Sequence, residues 1–383
     1  MTYRVGVIGA GQLARMMIPA AVNLDIDLRV FASGEGESAG LAATAIGDWT
    51  DLDAVRSFAA DVDVLTFEHE HVPQAVLTAL EADGVAVRPG SAALVNAQNK
   101  LVMRRRIAEL RLPNPDWAEA RTVADVDAFV AAHGGTIVAK QPIGGYDGHG
   151  VRRIGGSADV RDWLEPDQLA AHGDALLLEE AVDFRRELSQ IVARRPSGQL
   201  ASWPLTETIQ AHGVCSEAIA PAPGATPELL AEAERIAGEI ATGVGVVGVL
   251  AVEMFEAADG RLLVNELAMR PHNSGHWTLD GSTTGQFEQH LRAVLDLPLG
   301  DTSLRAPAAV MVNVLGGPAT DADRAQAEAE VLAADPAAKV HWYGKTYRPH
   351  RKVGHVNAYG DDPAAVIARA RHDADLLHRD SDR

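Results

Sequence analysis

The chain has one cysteine, Cys215, so it can form neither an internal disulfide nor a cysteine-based metal site, which fits a reducing cytosol. It also lacks a run for a membrane helix: the longest apolar stretch, 240–252, contains three glycines and stops at Glu253, short of the roughly 20 residues such a helix needs. The opening Met-Thr-Tyr-Arg-Val-Gly-Val-Ile-Gly has no basic segment followed by an apolar one, so a signal peptide is not expected. Positive charge is in deficit. Lys plus Arg number 34 against 53 Asp plus Glu, a formal charge of −19, which repels nucleic-acid backbones and anionic membranes. Neither is an expected partner, and any bound anion must be held by a focused site. There is no internal repeat, and the Ala/Glu/Asp-rich stretch 319–336 reads as an amphipathic helix, not as low complexity.

What remains is ordinary globular composition, 47% hydrophobic and 23% charged over 383 residues, enough for two or three domains and incompatible with disorder of the whole chain. From Tyr3 to about Pro89 strands and helices alternate. Strands are expected at 4–8, 28–32, 62–67 and 85–87, and helices at 12–24, 52–60 and 73–82. Continuous apolar strands separated by helices imply a doubly wound parallel sheet, whose ligands sit beyond the C-terminal strand ends. A helical bridge, 91–110, closes at Pro113 and Pro115. Further on, a helix at 227–242 precedes strands at 246–255 and 261–267, a hairpin turning at Asp259-Gly260. The last portion reads as strands at 308–314, 340–343 and 353–359, with helices at 322–333 and 362–378.

Gly9-Ala10-Gly11-Gln12-Leu13-Ala14 matches the glycine turn of dinucleotide-binding folds. Strand two, however, ends Phe31-Ala32-Ser33-Gly34 without the acidic residue that would hold a ribose. A packing turn, or a phosphate site for a mononucleotide, remains. In Ile137–Val151 an apolar strand delivers Lys140, then a glycine-rich loop, then another strand. A point charge beside exposed backbone N–H groups suits a triphosphate. It is not a Walker loop, since the lysine precedes the glycines. Glu179, Glu180, Ala181 and Val182, with Glu187 downstream, could meet a base edge and a ribose.

Glu253 and Glu266 interrupt two neighbouring apolar strands, a costly arrangement unless something neutralises them. A divalent hard cation does so, with Asn265 as an adjacent oxygen. The polar loop 269–278 follows, in which Arg270, His272 and Asn273 could hold a small oxyanion. The run 345–352 concentrates positive charge in an acidic protein. Phe67-Glu68-His69-Glu70-His71 invites a metal reading, but no further His/Cys cluster completes a shell. Its carboxylates could instead receive an amine or sugar hydroxyls.

In order along the chain stand Gly-Gln-Leu-x-x-Met (11–16), Glu-x-Glu-x-Val (68–72), Gln-Asn-Lys-Leu (98–101) and Gly-Gly-Tyr-Asp-Gly-x-Gly (144–150). Asn-Glu-Leu-x-x-Arg-x-His-Asn-Ser-Gly-His-Trp-Thr (265–278) and Arg-Lys-x-Gly-His (351–355) follow. Together they resemble the N5-carboxyaminoimidazole ribonucleotide synthetases, ATP-grasp carboxylases of purine biosynthesis, over essentially the whole chain. The resemblance implies an α/β fold of three domains: an N-terminal doubly wound, biotin-carboxylase-like domain (1–112), a central ATP-grasp domain (113–300) and a small C-terminal domain (301–383). It implies a cytoplasmic homodimer using ATP, Mg²⁺ or Mn²⁺, bicarbonate and 5-aminoimidazole ribonucleotide.

By the same resemblance, Lys100, Lys140, Gly145, Tyr146, Asp147, Gly148, His149, Gly150 and Val151 would bind the ATP phosphates. Glu179, Glu180, Ala181 and Val182 would meet adenine, Glu187 the ribose, and Gln210, where relatives often carry His, the nucleotide. Glu253 and Glu266 would ligate the cation, with Asn265 at the nucleotide phosphates. Arg270, His272 and Asn273, with Lys345 and Tyr146, would serve catalysis. Gln12, Leu13, Glu68 or Glu70, Tyr146, Arg270, Lys345, Arg351 and Lys352 would surround the aminoimidazole nucleotide. Lys100 stands where the family more often has arginine, and His69 and His71 replace the commoner aromatic and Asn. The loop 143–150 is the expected lid. The rival readings are a nicotinamide-dependent oxidoreductase built on the first turn and a catalytically silent nucleotide-binding regulator.

Overall fold

A computed structural model describes residues 2–144, 150–211 and 213–378. Among these, the first sheet comprises β1 (Arg4–Ile8), β2 (Asp27–Ala32), β3 (Ala43–Ile46) and β4 (Val64–Phe67) in the order β3-β2-β1-β4, all parallel. Val5, Val7, Ile8, Leu65 and Phe67 are buried, as continuous apolar strands between helical layers require. The expected strand at 85–87 is reduced to a single bridge, Val87 to Leu65. It runs at once into Arg88-Pro89, and proline has no N–H for a ladder. The fourth strand is instead Ala43–Ile46, an exposed edge with a weak apolar pattern. The helical bridge is two helices, Ser91–Gln98 and Lys100–Glu109. Asn99 divides them, its Oδ1 accepting from the N–H groups of Leu101 and Val102. That cap places Lys100 at the first position of a helix.

A second sheet, β5 (Trp117–Ala120), β6 (Ile137–Lys140), β7 (Val151–Ile154) and β8 (Leu176–Glu180), is ordered β5-β8-β6-β7 and antiparallel. Lys140 lies opposite Val151, so the glycine-rich segment joins two paired strands. The third sheet contains β9 (Phe184–Arg194), β10 (Leu200–Ser202), β11 (Thr206–Ala211), β12 (Val214–Ala220), β13 (Gly248–Ala257), β14 (Leu262–Ala268), β15 (Ala308–Leu315), β16 (Lys339–Trp342) and β17 (Lys352–Gly360). Its main path is β14-β13-β9-β11-β12-β15-β17-β16. The C-terminal strands therefore continue the central sheet, through the β12–β15 ladder. Ile236 and Ile240 of the helix Pro227–Val244 pack with Val252 and Val264 in one buried core. No helix among the described residues is long and apolar enough to cross a membrane.

His290 is fully buried at the seam between the first and third sheets, Nε2 2.8 Å from Thr66 Oγ1 and Nδ1 accepting from Val249 N. Burial lowers its pKa to about 3; burial and the neighbouring His71 lower that of His69 to about 4. Burial likewise takes His276 and His355 well below the usual value. Above pH 6.5 these rings are neutral in both folded and unfolded chains. Below it the unfolded chain takes up protons first, so stability falls as pH drops towards the folded values. We expect the urea midpoint to decrease between pH 7 and 5, each ring approaching a slope of about 1.4 kcal/mol per pH unit. His290→Phe should flatten that slope; an unchanged profile would contradict the assignment.

Candidate active site

The second and third sheets face each other across a cavity of about 470 Å³. At its edge β6 ends in Lys140, whose Nζ lies 2.8 Å from Glu179 Oε2 and donates to Asn265 Oδ1 at 3.2 Å. The other oxygen of Glu179 accepts from Arg104 Nε at 2.6 Å, and Arg104 also donates to the carbonyls of Val264 and Asn265. Burial by itself would raise the pKa of Glu179, but the charges of Lys140 and Arg104 bring it down to about 2. The Glu179 side chain thus anchors the lysine at the edge of the cavity it lines, because so deeply buried a carboxylate stays ionised only with cations at its oxygens. Glu180 accepts the N–H of Asp116 at 3.0 Å. Ala181 and Val182, past the last β6–β8 pair, line the cavity, where the rings of Phe184 and Phe255 stack at 4.6 Å.

Glu253 and Glu266 are direct cross-strand partners, followed by a bulge at Met254. Glu253 Oε1 is 3.0 Å from His272 Nε2, and Glu266 Oε1 is 3.0 Å from Lys100 Nζ. Burial opposes ionisation of Glu253, but the His272 hydrogen bond and the charges of Arg270 and Lys352 hold its carboxyl below the usual range. Among the described residues no cluster of three or more His, Cys, Asp or Glu side chains forms a metal cage. Asn273 lines the cavity with both amide atoms buried. On the neighbouring strand β9 Glu187 accepts from Gln210 Nε2 at 2.8 Å; burial, reinforced by Glu253, raises its pKa against that hydrogen bond. Cys215 also faces the cavity, its thiol pushed up to about 12 by burial.

The glycine turn after β1 already holds an anion. Glu68, from the end of β4, accepts from the N–H groups of Gly11 (2.6 Å) and Ala14 (3.3 Å) at the start of the helix Gln12–Asn23. A Cβ at Gly11 would strike that carboxylate, which is why the position needs glycine. Burial raises the pKa of Glu68, against the backbone N–H groups and the charges of Arg270 and Lys345. Glu70 instead pairs with Arg270 at 2.9 Å, so the two glutamates have separate partners. Lys345 Nζ donates to Gln12 Oε1 at 2.6 Å. The segment carrying Lys345 is tied to the first sheet by Arg15, which donates to the Trp342 carbonyl, and by Ser38, which donates to that of Tyr343.

Some expected residues are placed elsewhere. The Leu13 side chain is packed into the first sheet's core. Arg351 turns back onto the Thr346 carbonyl and hydroxyl, at 3.1 Å each, while Lys352 lines the cavity. Gly150 and Val151 flank the loop; Gly145, Tyr146, Asp147, Gly148 and His149 lie outside the described residues. Sequence reasoning missed Arg104. Three consecutive arginines, 104–106, gave no sign that only the first is fully buried.

A nucleotide-sized cleft between two β-layers, with a strand lysine at one wall and paired strand carboxylates at the other, defines the ATP-grasp ligases. Family models agree: a ribonucleotide synthetase preATP-grasp domain matches residues 1–98, an ATP-grasp domain 105–287, and a phosphoribosylaminoimidazole carboxylase C-terminal domain 309–369. The chain belongs to the N5-carboxyaminoimidazole ribonucleotide synthase family. It is 51% identical to the synthase of Mycobacterium bovis over 371 residues, 96% of this chain and 86% of that one. Among solved structures, the Aspergillus clavatus enzyme complexed with ATP superposes with a TM-score of 0.86 at 30% identity, covering 98% of each chain. The same enzyme with ADP and 5-aminoimidazole ribonucleotide gives 0.87 at 29%, covering 99% of each.

Proposed function

We propose that this chain carboxylates 5-aminoimidazole ribonucleotide on its exocyclic amine, consuming ATP and bicarbonate through carboxyphosphate and releasing ADP and phosphate. The observation that carries the reading is the cross-strand pair Glu253 and Glu266 facing Lys140 across one cleft. Two carboxylates with no cluster of three or more His, Cys, Asp or Glu among the described residues suit Mg²⁺ or Mn²⁺, hard cations that keep waters and phosphate oxygens, better than zinc. When bound, the cation would neutralise charge on the phosphates. Lys140 and Lys100 add fixed positive charge at that end, while Ala181, Val182 and the Phe184–Phe255 wall would receive the base and Glu187 the ribose.

Bicarbonate is a poor electrophile and the amine a weak nucleophile, so activation by phosphorylation is required, and catalysis is mostly positioning and charge neutralisation. Arg270, His272 and Asn273 would hold bicarbonate and then carboxyphosphate, Asn273 supplying a buried amide. The aminoimidazole nucleotide would lie between the first sheet and the 345–352 segment, near Gln12, Glu68, Glu70 and Lys345. Tyr146 and the loop 143–150 would exclude water from an intermediate that hydrolyses readily. We further propose domains at 1–112, 113–300 and 301–383, and a cytoplasmic homodimer; sedimentation at micromolar concentration tests the dimer.

The deciding assay is ADP release with each substrate omitted in turn. We expect release to require bicarbonate and to rise with the aminoimidazole nucleotide, with protection of the fold by Mg·ATP and not by NADH. Stimulation by formate in place of bicarbonate would point to a formyl-transferring ligase instead.

A further inference from the structure

We infer that Gln286 and Ser274, neither of which lines the cavity, are positioning residues that set the height of the 270–273 loop and the tautomer of His272. The inference rests on the reading above, in which His272 belongs to the bicarbonate and carboxyphosphate site.

Beyond Ala268, where β14 ends, the loop has no strand ladder to hold it. One carboxamide takes that place. Gln286 Oε1 accepts from His272 N at 2.8 Å, and Gln286 Nε2 donates to His272 O at 2.8 Å. The amide can face only one way, since its oxygen must meet the N–H and its nitrogen the carbonyl. The same Nε2 lies 3.0 Å from Nδ1 of His276, further along the loop. Gln286 is fully buried and opens the helix Gln286–Val294, its own N–H donating to Thr278 Oγ1 at 2.9 Å. Gly275 must be glycine for this clamp to form, because a Cβ there would come within 2.6 Å of Gln286 Oε1.

The ring of His272 is fixed by a second set of contacts. Its Nδ1 accepts from Ser274 N at 3.4 Å, and a backbone N–H can only donate, so Nδ1 carries no proton. The proton is therefore on Nε2, 3.0 Å from Glu253 Oε1. Ser274 Oγ, 2.8 Å from Nδ1, then donates to it and accepts from Ser189 Oγ at 2.7 Å. Ser189 and Ser274 are both fully buried. The direction of every bond in the chain Ser189, Ser274, His272, Glu253 follows from that one backbone donor. Apolar residues would fill this space as well; what the amide and hydroxyls add is a single geometry for His272 and for the carboxylate it contacts.

The test uses the full-length protein with Gln286→Met, close in size but without either hydrogen bond, and Ser274→Ala. Measured quantities are kcat for the carboxylated product, KM for Mg·ATP, ADP released per product, and Tm. Misplacing a reacting group by about 1 Å can cost about 10²-fold, so we expect product kcat to fall about 10- to 100-fold. KM for Mg·ATP should change less than about twofold, because Lys140 and Glu187 are untouched, and ADP per product should rise above one as carboxyphosphate is lost to water. Nitrogen-15 shifts of the His272 ring should show Nε2 protonated in the wild type and a mixture in Ser274→Ala. Unchanged kcat and coupling in folded variants would overturn the inference, as would a loss in which KM for Mg·ATP rises in step. If Gln286→Met does not fold, Ser274→Ala decides. A wild type without bicarbonate-dependent ADP release would remove the reaction assignment and this inference with it, a failure visible before any variant is made.

Discussion

Replacing Arg104 by methionine is expected to cost about 3 kcal/mol or more in stability at pH 7 and to abolish most ATP turnover. Arg104 is fully buried and supplies four contacts: Glu179, Asn114 Oδ1 and the carbonyls of Val264 and Asn265. Removing one partner of a buried ion pair leaves the other charge and two carbonyls without compensation, and such losses run at about 3–5 kcal/mol. Glu179 keeps Lys140, which places the estimate at the lower end. Turnover should suffer because Glu179, which anchors Lys140, would lose its second cation, and the β14 backbone at Val264 and Asn265 would be released. The pH dependence gives an independent check. A carboxyl held at about 2 contributes stability above the unfolded value of 4.5 and loses it as pH falls from about 4.5 towards 2. The gap between wild type and Arg104→Met in urea midpoint should therefore narrow between pH 5 and 2.5. A variant as stable as the wild type at pH 7 would show that the Arg104 contacts do not contribute this stability.

Glu266→Gln is expected to keep the fold and lose about 10²-fold or more of ADP release. Its side chain is 40% exposed and its recorded partner is the Lys100 ammonium at 3.0 Å, so little packing depends on it. The amide still accepts from Lys100 but is a weaker ligand for a hard cation. Charge stabilisation by a bound cation amounts to several kcal/mol in phosphoryl transfer, and each 1.4 kcal/mol is about tenfold in rate. The loss should be partly recovered at high Mg²⁺, with Tm and circular dichroism unchanged. Near-normal turnover at low Mg²⁺ would refute the cation site. Glu253→Gln should lose as much and also weaken the His272 contact, so that its defect is less fully recovered by Mg²⁺.

Much of this site could be read from local pattern. A charged residue interrupting an apolar strand stands out against period and hydropathy, and both Glu253 and Glu266 did so, on a hairpin whose turn was marked by Asp259-Gly260. Lys140 was visible for the same reason, a cation at the end of an apolar strand. The glycine turn was visible too, but not its occupant. An anion at that helix start was foreseeable; that it is the chain's own Glu68 was not.

What the sequence determined by itself is which residues lie on strands, turns and caps, since backbone preference and hydrophobic period act over a few neighbours. The tertiary structure decided the pairings: Arg104 with carbonyls 160 positions away, Lys345 with Gln12, Gln286 with the backbone of His272. Such contacts leave no trace in local period because a polar side chain looks the same in sequence whether it meets water or a buried partner. Which it meets is set only when the sheets close on each other and water is excluded.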